Sequence, residues 1–198
     1  MKKLMMIAAM MVATLSANAQ QSVGTWSVTP KVGVNLATIT DADDASMKIG
    51  LVAGADVTYQ LAEPFAISVG AFYSMQGAKG DETINGVKVD ETMNIDYINI
   101  PIMANYYVIP GLAIKAGIQP AFNVKHEAKV EASGDSYTSD IDHFKSLDIS
   151  IPLGASYEFG DFVIDARYNL GLTKLIDISG YNSKNSVFQF TVGYKIPF

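Results

Sequence analysis

The sequence contains no cysteine, which removes disulfide scaffolds, thiolate zinc sites, cysteine nucleophiles and a lipid anchor carried on sulfur. It also lacks a basic excess: 14 Lys and Arg stand against 20 Asp and Glu, for a formal net charge of -6. That charge points to no nucleic-acid partner, because phosphate recognition depends on concentrated cations. Long apolar runs are missing as well. The longest, over residues 4–13, is well short of the ~20 residues that a spanning helix needs. A chain of this kind can cross a membrane only as a closed sheet, since lipid offers backbone N–H and C=O groups no other partners.

What is present begins with a leader. Lys2 and Lys3 form a positive start, residues 4–13 an apolar core, and Ala17-Asn18-Ala19 a small-x-small cleavage site. The expectation is a signal peptide over 1–19, removed before Gln20, and one domain over 20–198.

Beyond the leader the dominant pattern is alternation with a period of two, the signature of strands with one apolar face. Trp26, Val28, Pro30, Val32, Val34 and Leu36 fall on one face of the first segment. Ile49, Leu51, Ala53, Ala55, Val57 and Tyr59 do so in the second, then Phe65, Ile67, Val69, Ala71 and Tyr73 in the third. The fourth carries Ile98, Ile100, Ile102, Ala104 and Tyr106, but Met93, Ile95 and Tyr97 precede them on the other parity, which predicts a β-bulge near Tyr97-Ile98. Leu112 to Phe122, Leu147 to Tyr157, Phe162 to Leu170 and Phe188 to Phe198 complete the set, with Pro120 an awkward residue for a strand interior.

Short turns at Ala62-Glu63-Pro64, Ile109-Pro110-Gly111 and Gly160-Asp161 alternate with longer polar connections at roughly 40–46, 77–92, 126–146 and 173–186. Transmembrane barrels have this asymmetry between their two rims. Asn85-Gly86 is a hairpin signal, so the third and fourth strands are expected to continue as a ribbon above the membrane.

The charged residues Lys31, Lys48, Asp56, Lys115, Asp148, Glu158, Asp165, Arg167 and Lys195 fall almost wholly on the face opposite the apolar one. A soluble lipocalin-like barrel or a sandwich would put those outward and enclose the apolar face. The bulk of that face does not fit the narrow lumen of an eight-stranded barrel. Aromatics cluster at the short-turn end, with Trp26, Tyr59, Phe65, Tyr157, Phe159, Phe162 and Phe198, as an interfacial girdle does; Tyr73, Tyr97, Phe122 and Phe188 suit the opposite belt. The expected fold is all-β: a single transmembrane antiparallel up-and-down β-barrel of about eight strands, after a cleaved signal peptide. An ion-pair and hydrogen-bond network is expected to fill its interior.

Six alternate apolar positions end the chain in Phe198, a pattern that resembles the signal by which outer-membrane barrels are recognised for insertion. Asp96-Tyr97-Ile98-Asn99-Ile100-Pro101, Asn105-Tyr106-Tyr107, Ala116-Gly117-Ile118-Gln119-Pro120 and Arg167-Tyr168-Asn169-Leu170-Gly171-Leu172 add to it. Over the mature chain, the sequence resembles the small porin-like or PorT-like outer-membrane β-barrel family of Bacteroidetes. The resemblance implies a place in the outer membrane among lipid and lipopolysaccharide, assembly by the barrel-insertion machinery through the C-terminal strand, and an envelope protein partner.

No catalytic, cofactor-binding or metal-binding residue is assigned, and no cofactor is expected. His126 and His143 are the only histidines. An enzyme that modifies lipid A would pair His126, expected at the outward rim, with Ser133 or Ser136, but no serine stands at the matching rim position of a neighbouring strand. Asp41, Asp43, Asp44, Asp135, Asp140 and Asp142 lack EF-hand spacing and read as solvated loop charge. Gly33, Gly50, Gly54, Gly70 and Gly154 form no phosphate loop and instead leave lumen space or permit curvature. The leading function is a non-enzymatic structural, interaction or envelope-accessory role carried by exposed loops. A narrow channel for small solutes is the second reading.

Overall fold

The structure is a computed structural model that describes residues 21–40, 46–84, 87–132, 135–141, 145–175 and 183–198. The proposed leader, residues 1–19, lies outside them. Eleven strands follow in chain order: β1 (Trp26–Ile39), β2 (Ser46–Ala62), β3 (Phe65–Ile84), β4 (Val87–Asn99), β5 (Ile102–Ile109), β6 (Leu112–Ala132), β7 (Asp135–Asp140), β8 (Leu147–Phe159), β9 (Phe162–Gly171), β10 (Asn185–Tyr194) and β11 (Ile196–Pro197).

Every pairing is antiparallel, and β1 joins both β2 and the β10–β11 segment, so the sheet closes on itself. β4 and β5 form one stave, as do β10 and β11, and β7 is an added hairpin arm on β6. The result is a ring of eight antiparallel strands. Closure leaves no open backbone edge within the ring, which is the condition for crossing lipid.

Alternation decides which way each side chain points. Ile49 is 70% exposed and Val32 59% on the outside, whereas Lys31, Asp56, Lys115, Asp165 and Arg167 are buried inside. A soluble protein would place these two sets the other way round. The outer surface is the face that meets lipid. At the short-turn rim, Trp26 lies 4.7 Å from Tyr59, Phe159 5.7 Å from Phe162, and Phe162 5.3 Å from Tyr194, between ring centres. This is the expected girdle.

Prolines interrupt ladders without ending strands. Pro101 separates β4 from β5, yet Phe72↔Asn99 and Val69↔Ile102 keep one register across the break. The proline carbonyls still accept ladder bonds from neighbouring strands, with Gly70 N donating to Pro101 O at 2.9 Å and Ile100 N to Pro120 O at 2.8 Å. Pro120 sits within β6, which runs straight through it. Gly33 lies where β1 meets β10: a Cβ there would sit 1.9 Å from Phe190 O, so only glycine permits this closing seam.

Candidate functional site: a two-layered lumen and a protruding sheet

The middle of the lumen is closed by ions. Lys31 Nζ donates to Asp56 Oδ2 at 2.7 Å and to Asp165 Oδ2 at 3.3 Å. Lys115 Nζ reaches Asp165 Oδ2 at 2.7 Å, and Arg167 Nε reaches Asp165 Oδ1 at 2.8 Å. Asp165 thus gathers three cations from β1, β6 and β9, and β1 and β6 are opposite staves of the ring. Arg167 also lies over the Phe72 ring, 5.9 Å from its centre. Toward the short-turn end, Lys195 Nζ lies 2.5 Å from Glu158 Oε2, and Tyr107 Oη donates to Glu158 Oε1 at 2.8 Å. The expected network is therefore present, and side chains occupy the bore.

The outer end is filled differently. Ile39, Ala78, Ile95, Tyr97, Ala121 and Leu175 form a buried apolar cluster with Met93 packed against it. Tyr97 is fully buried, and its hydroxyl accepts from Asn185 Nδ2 at 3.0 Å. Asn185 also donates to Asp148 Oδ2 at 2.8 Å, and Thr173 Oγ1 hydrogen-bonds Asp148 Oδ1. Tyr97 thus ties an apolar cap to the polar lumen beneath it.

Three expectations fall here. Tyr97 does not belong to the outer aromatic belt, because it points inward. The fourth stave has no bulge near Tyr97-Ile98: odd positions from Ile95 through Tyr97, Asn99, Met103, Asn105 and Tyr107 all face the lumen. The irregularity is in the partner strand, where Asp96 pairs with Lys125 but Tyr97 pairs with Asn123, leaving Val124 as the extra residue. Val124 also reverses the parity above it, so His126 pairs with Ile95 on the inner side and not at the outward rim. Its Nδ1 lies 2.8 Å from Asn123 Oδ1. This removes the geometry expected of a lipid-modifying His126.

His143, Ser133, Asp41, Asp43, Asp44 and Asp142 lie outside the described residues. Asp135 and Asp140 end the exposed strand β7. Among the described residues, no group of three or more His, Asp or Glu is placed to hold a metal ion.

Above the ring the sheet continues. β3 has 20 residues and β6 has 21, against the ~9–11 that a spanning strand needs. β3 pairs with β4 up to Ile84↔Val87, β4 with β6 up to Val89↔Ala132, and β6 with β7 up to Ala132↔Asp135. Much of the expected loops at 77–92 and 126–146 is thus strand. Cross-strand pairs place Thr92, Lys129 and Thr138 in one row, with Asn94, Glu127 and Asp140 in the next. On that face Lys125 is 3.0 Å from Glu127 and Lys129 2.6 Å from Glu131. The hydrogen bond from Lys125 to Glu127, with the carboxylate's charge, raises the Lys125 ammonium above its ordinary pKa. The other face carries Met93, Ala128, Val130 and Tyr137, and Tyr137 is 74% exposed.

A closed eight-stranded ring with a lipid-facing exterior, a filled polar interior and an aromatic rim defines a small transmembrane β-barrel. Residues 18–177 match the family described as Outer membrane protein beta-barrel domain, and the chain belongs to that family. It is a small outer-membrane β-barrel protein, located in the cell outer membrane. Its fold is similar to Ail, the attachment invasion locus protein of Yersinia pestis, with a TM-score of 0.52 and 13% identity, over 88% of this chain and 100% of that one. A second structure of Ail, in complex with the heparin analogue sucrose octasulfate, gives a TM-score of 0.50 and 14% identity at the same coverage. Neisserial surface protein A is matched with a TM-score of 0.48 and 14% identity, over 86% of this chain and 97% of that one. A search of curated proteins found no matching relative.

Proposed function

We propose that this barrel serves the envelope as a non-enzymatic interaction component, with recognition carried by the protruding sheet. The observation that carries the reading is the four-stranded extension of β3, β4, β6 and β7, which lifts ordered surface beyond the lipid-facing band. An ordered sheet presents side chains at fixed spacing and loses less entropy on binding than a flexible loop. The filled lumen argues against the channel reading, since opposite walls are bridged by Lys31, Lys115 and Asp165. Refolded protein is expected to show near-zero single-channel conductance.

The resemblance to PorT-like proteins favours an accessory role alongside an envelope protein partner. Affinity purification from gently solubilised outer membranes, with mild cross-linking and mass spectrometry, tests this. A reproducible partner at near-equal stoichiometry, lost when residues 80–91 and 126–140 are replaced by short turns, supports the reading. Recovery of the barrel alone overturns it and favours a stand-alone protein.

The final strand supplies the route of assembly. Phe198 is 74% exposed at the aromatic rim, and its N–H donates to Trp26 O at 2.9 Å. In our reading the barrel-insertion machinery engages this strand after the leader 1–19 is removed. Deleting Phe198 is expected to lower the amount of folded protein in the outer membrane. Normal surface levels of that truncation overturn it.

A further inference from the structure

We propose that the lumen holds one monovalent anion of halide size, seated in the cavity between Lys31 and Lys115. The first observation is a count of charge. The central cluster contains Lys31, Lys115 and Arg167 against Asp56 and Asp165, three cations to two carboxylates. The neighbouring Lys195–Glu158 pair is neutral and does not alter the difference. The excess is local to this cluster, since among the described residues the buried charges balance at five cations, with Lys48, and five carboxylates, with Asp96 and Asp148. A locally unmatched positive charge in a low-dielectric interior is unfavourable unless an opposite charge accompanies it.

The second observation is a set of unused donors. Each ammonium offers three N–H groups. Lys31 uses two, on Asp56 and Asp165, and Lys115 uses one, on Asp165. Arg167 has Nη1 and Nη2 buried with no hydrogen-bond partner among the described residues. Lys31 and Lys115, which border the cavity, therefore have donors to spare there, whereas Arg167 does not border it.

The third is space in the right place. A cavity of about 20 Å³ is lined by Lys31, Lys115 and Lys195, by the carboxylates Asp56 and Glu158, and by hydroxyl-bearing residues such as Ser156. About 10–15 Å³ suffices for one water, so the cavity takes a single small ion and not a phosphate or carboxylate ligand. An anion there meets ammonium and hydroxyl donors, and its charge brings the cluster to neutrality. Asp56 and Glu158 border the cavity, but their charges are held by Lys31 and Lys195 and are already counted.

The test uses the full mature barrel refolded in detergent, in sodium chloride, bromide or gluconate at equal ionic strength. Loss of the fast-migrating folded band on heating gives a midpoint for each. Binding to the folded state alone predicts an upward shift in chloride and bromide relative to gluconate, growing with the logarithm of halide concentration. Crystals grown in bromide are expected to show an anomalous peak in the cavity beside Lys31 and Lys115. Lys115→Met, which equalises cations and carboxylates, is expected to abolish the halide shift, while Lys48→Met, outside the cluster, preserves it. If Lys115→Met does not fold, the bromide peak in the unmodified protein decides. Equal midpoints in all three salts together with no bromide peak overturn the proposal, and assign the cavity to water or the excess charge to a deprotonated lysine.

Discussion

Inside this barrel two layers do the same work of excluding a continuous bore with opposite chemistries. In the middle, Asp165 draws Lys31, Lys115 and Arg167 across the lumen; at the outer end, Tyr97, Ile95, Ile39 and Leu175 pack without charge. The ionic layer is the more fragile of the two, because removing a carboxylate leaves buried cations without a partner. An apolar layer that loses a member leaves only a void. The difference shows that the inward face of a barrel stave is set by geometry and not by polarity.

The largest effect is expected where three cations depend on one carboxylate. Asp165→Ala leaves Lys31, Lys115 and Arg167 facing Asp56 alone, and removal of one partner from a buried pair costs about 3–5 kcal/mol. The folded, fast-migrating band is expected to disappear at temperatures where the unmodified barrel still shows it. A folded barrel of unchanged midpoint would place the holding force of the lumen outside the ionic layer.

Tyr97→Ala probes the other layer. It deletes a fully buried ring and takes one of two acceptors from the Asn185 amide, which keeps Asp148, for a loss of about 3–5 kcal/mol in the aromatic-to-alanine range. The barrel is still expected to close, since its strand pairings do not depend on this side chain. Conductance is expected to stay near zero, because the ionic layer beneath remains. Appearance of a conducting state in this variant alone would identify the apolar cap as the barrier and the ionic layer as permeable.

The same contrast explains what could be read from the sequence. The staves with charged inward residues, such as Lys31 in β1 and Asp165 with Arg167 in β9, announced their faces, because polarity and parity agree there. At Ile95 and Tyr97 they disagree. Apolar residues on the inward parity mimic a change of face, which is why the alternation alone predicts a bulge there. Asn99 and Asn105, on the same parity as Tyr97 and further along the stave, were the available signal that the strand keeps its register. Val124 gave no such signal, since one apolar residue in an alternating stretch does not mark itself as the extra one. Once it is inserted, His126 and everything above it on β6 change sides, which is why the outer rim was misread while the membrane band was not. The protruding sheet was legible only at Asn85-Gly86; β7, with Asp135, Ser136, Ser139 and Asp140, has the composition of a loop and is a strand because β6 offers it an edge.

The smallest effect separates charge inside the barrel from charge above it. Lys129 and Glu131 lie 2.6 Å apart, closer than Lys31 and Asp165 at 3.3 Å, yet their side chains are 40% and 51% exposed. Water screens such a pair, and exposed ion pairs contribute about 0–1 kcal/mol. Lys129→Ala is therefore expected to leave the heat-modification midpoint within error of the unmodified barrel, at both low and high salt. A loss comparable to that of Asp165→Ala would mean that the pair is covered in the folded state, and would move the protruding sheet from a solvent-facing surface to an occupied one.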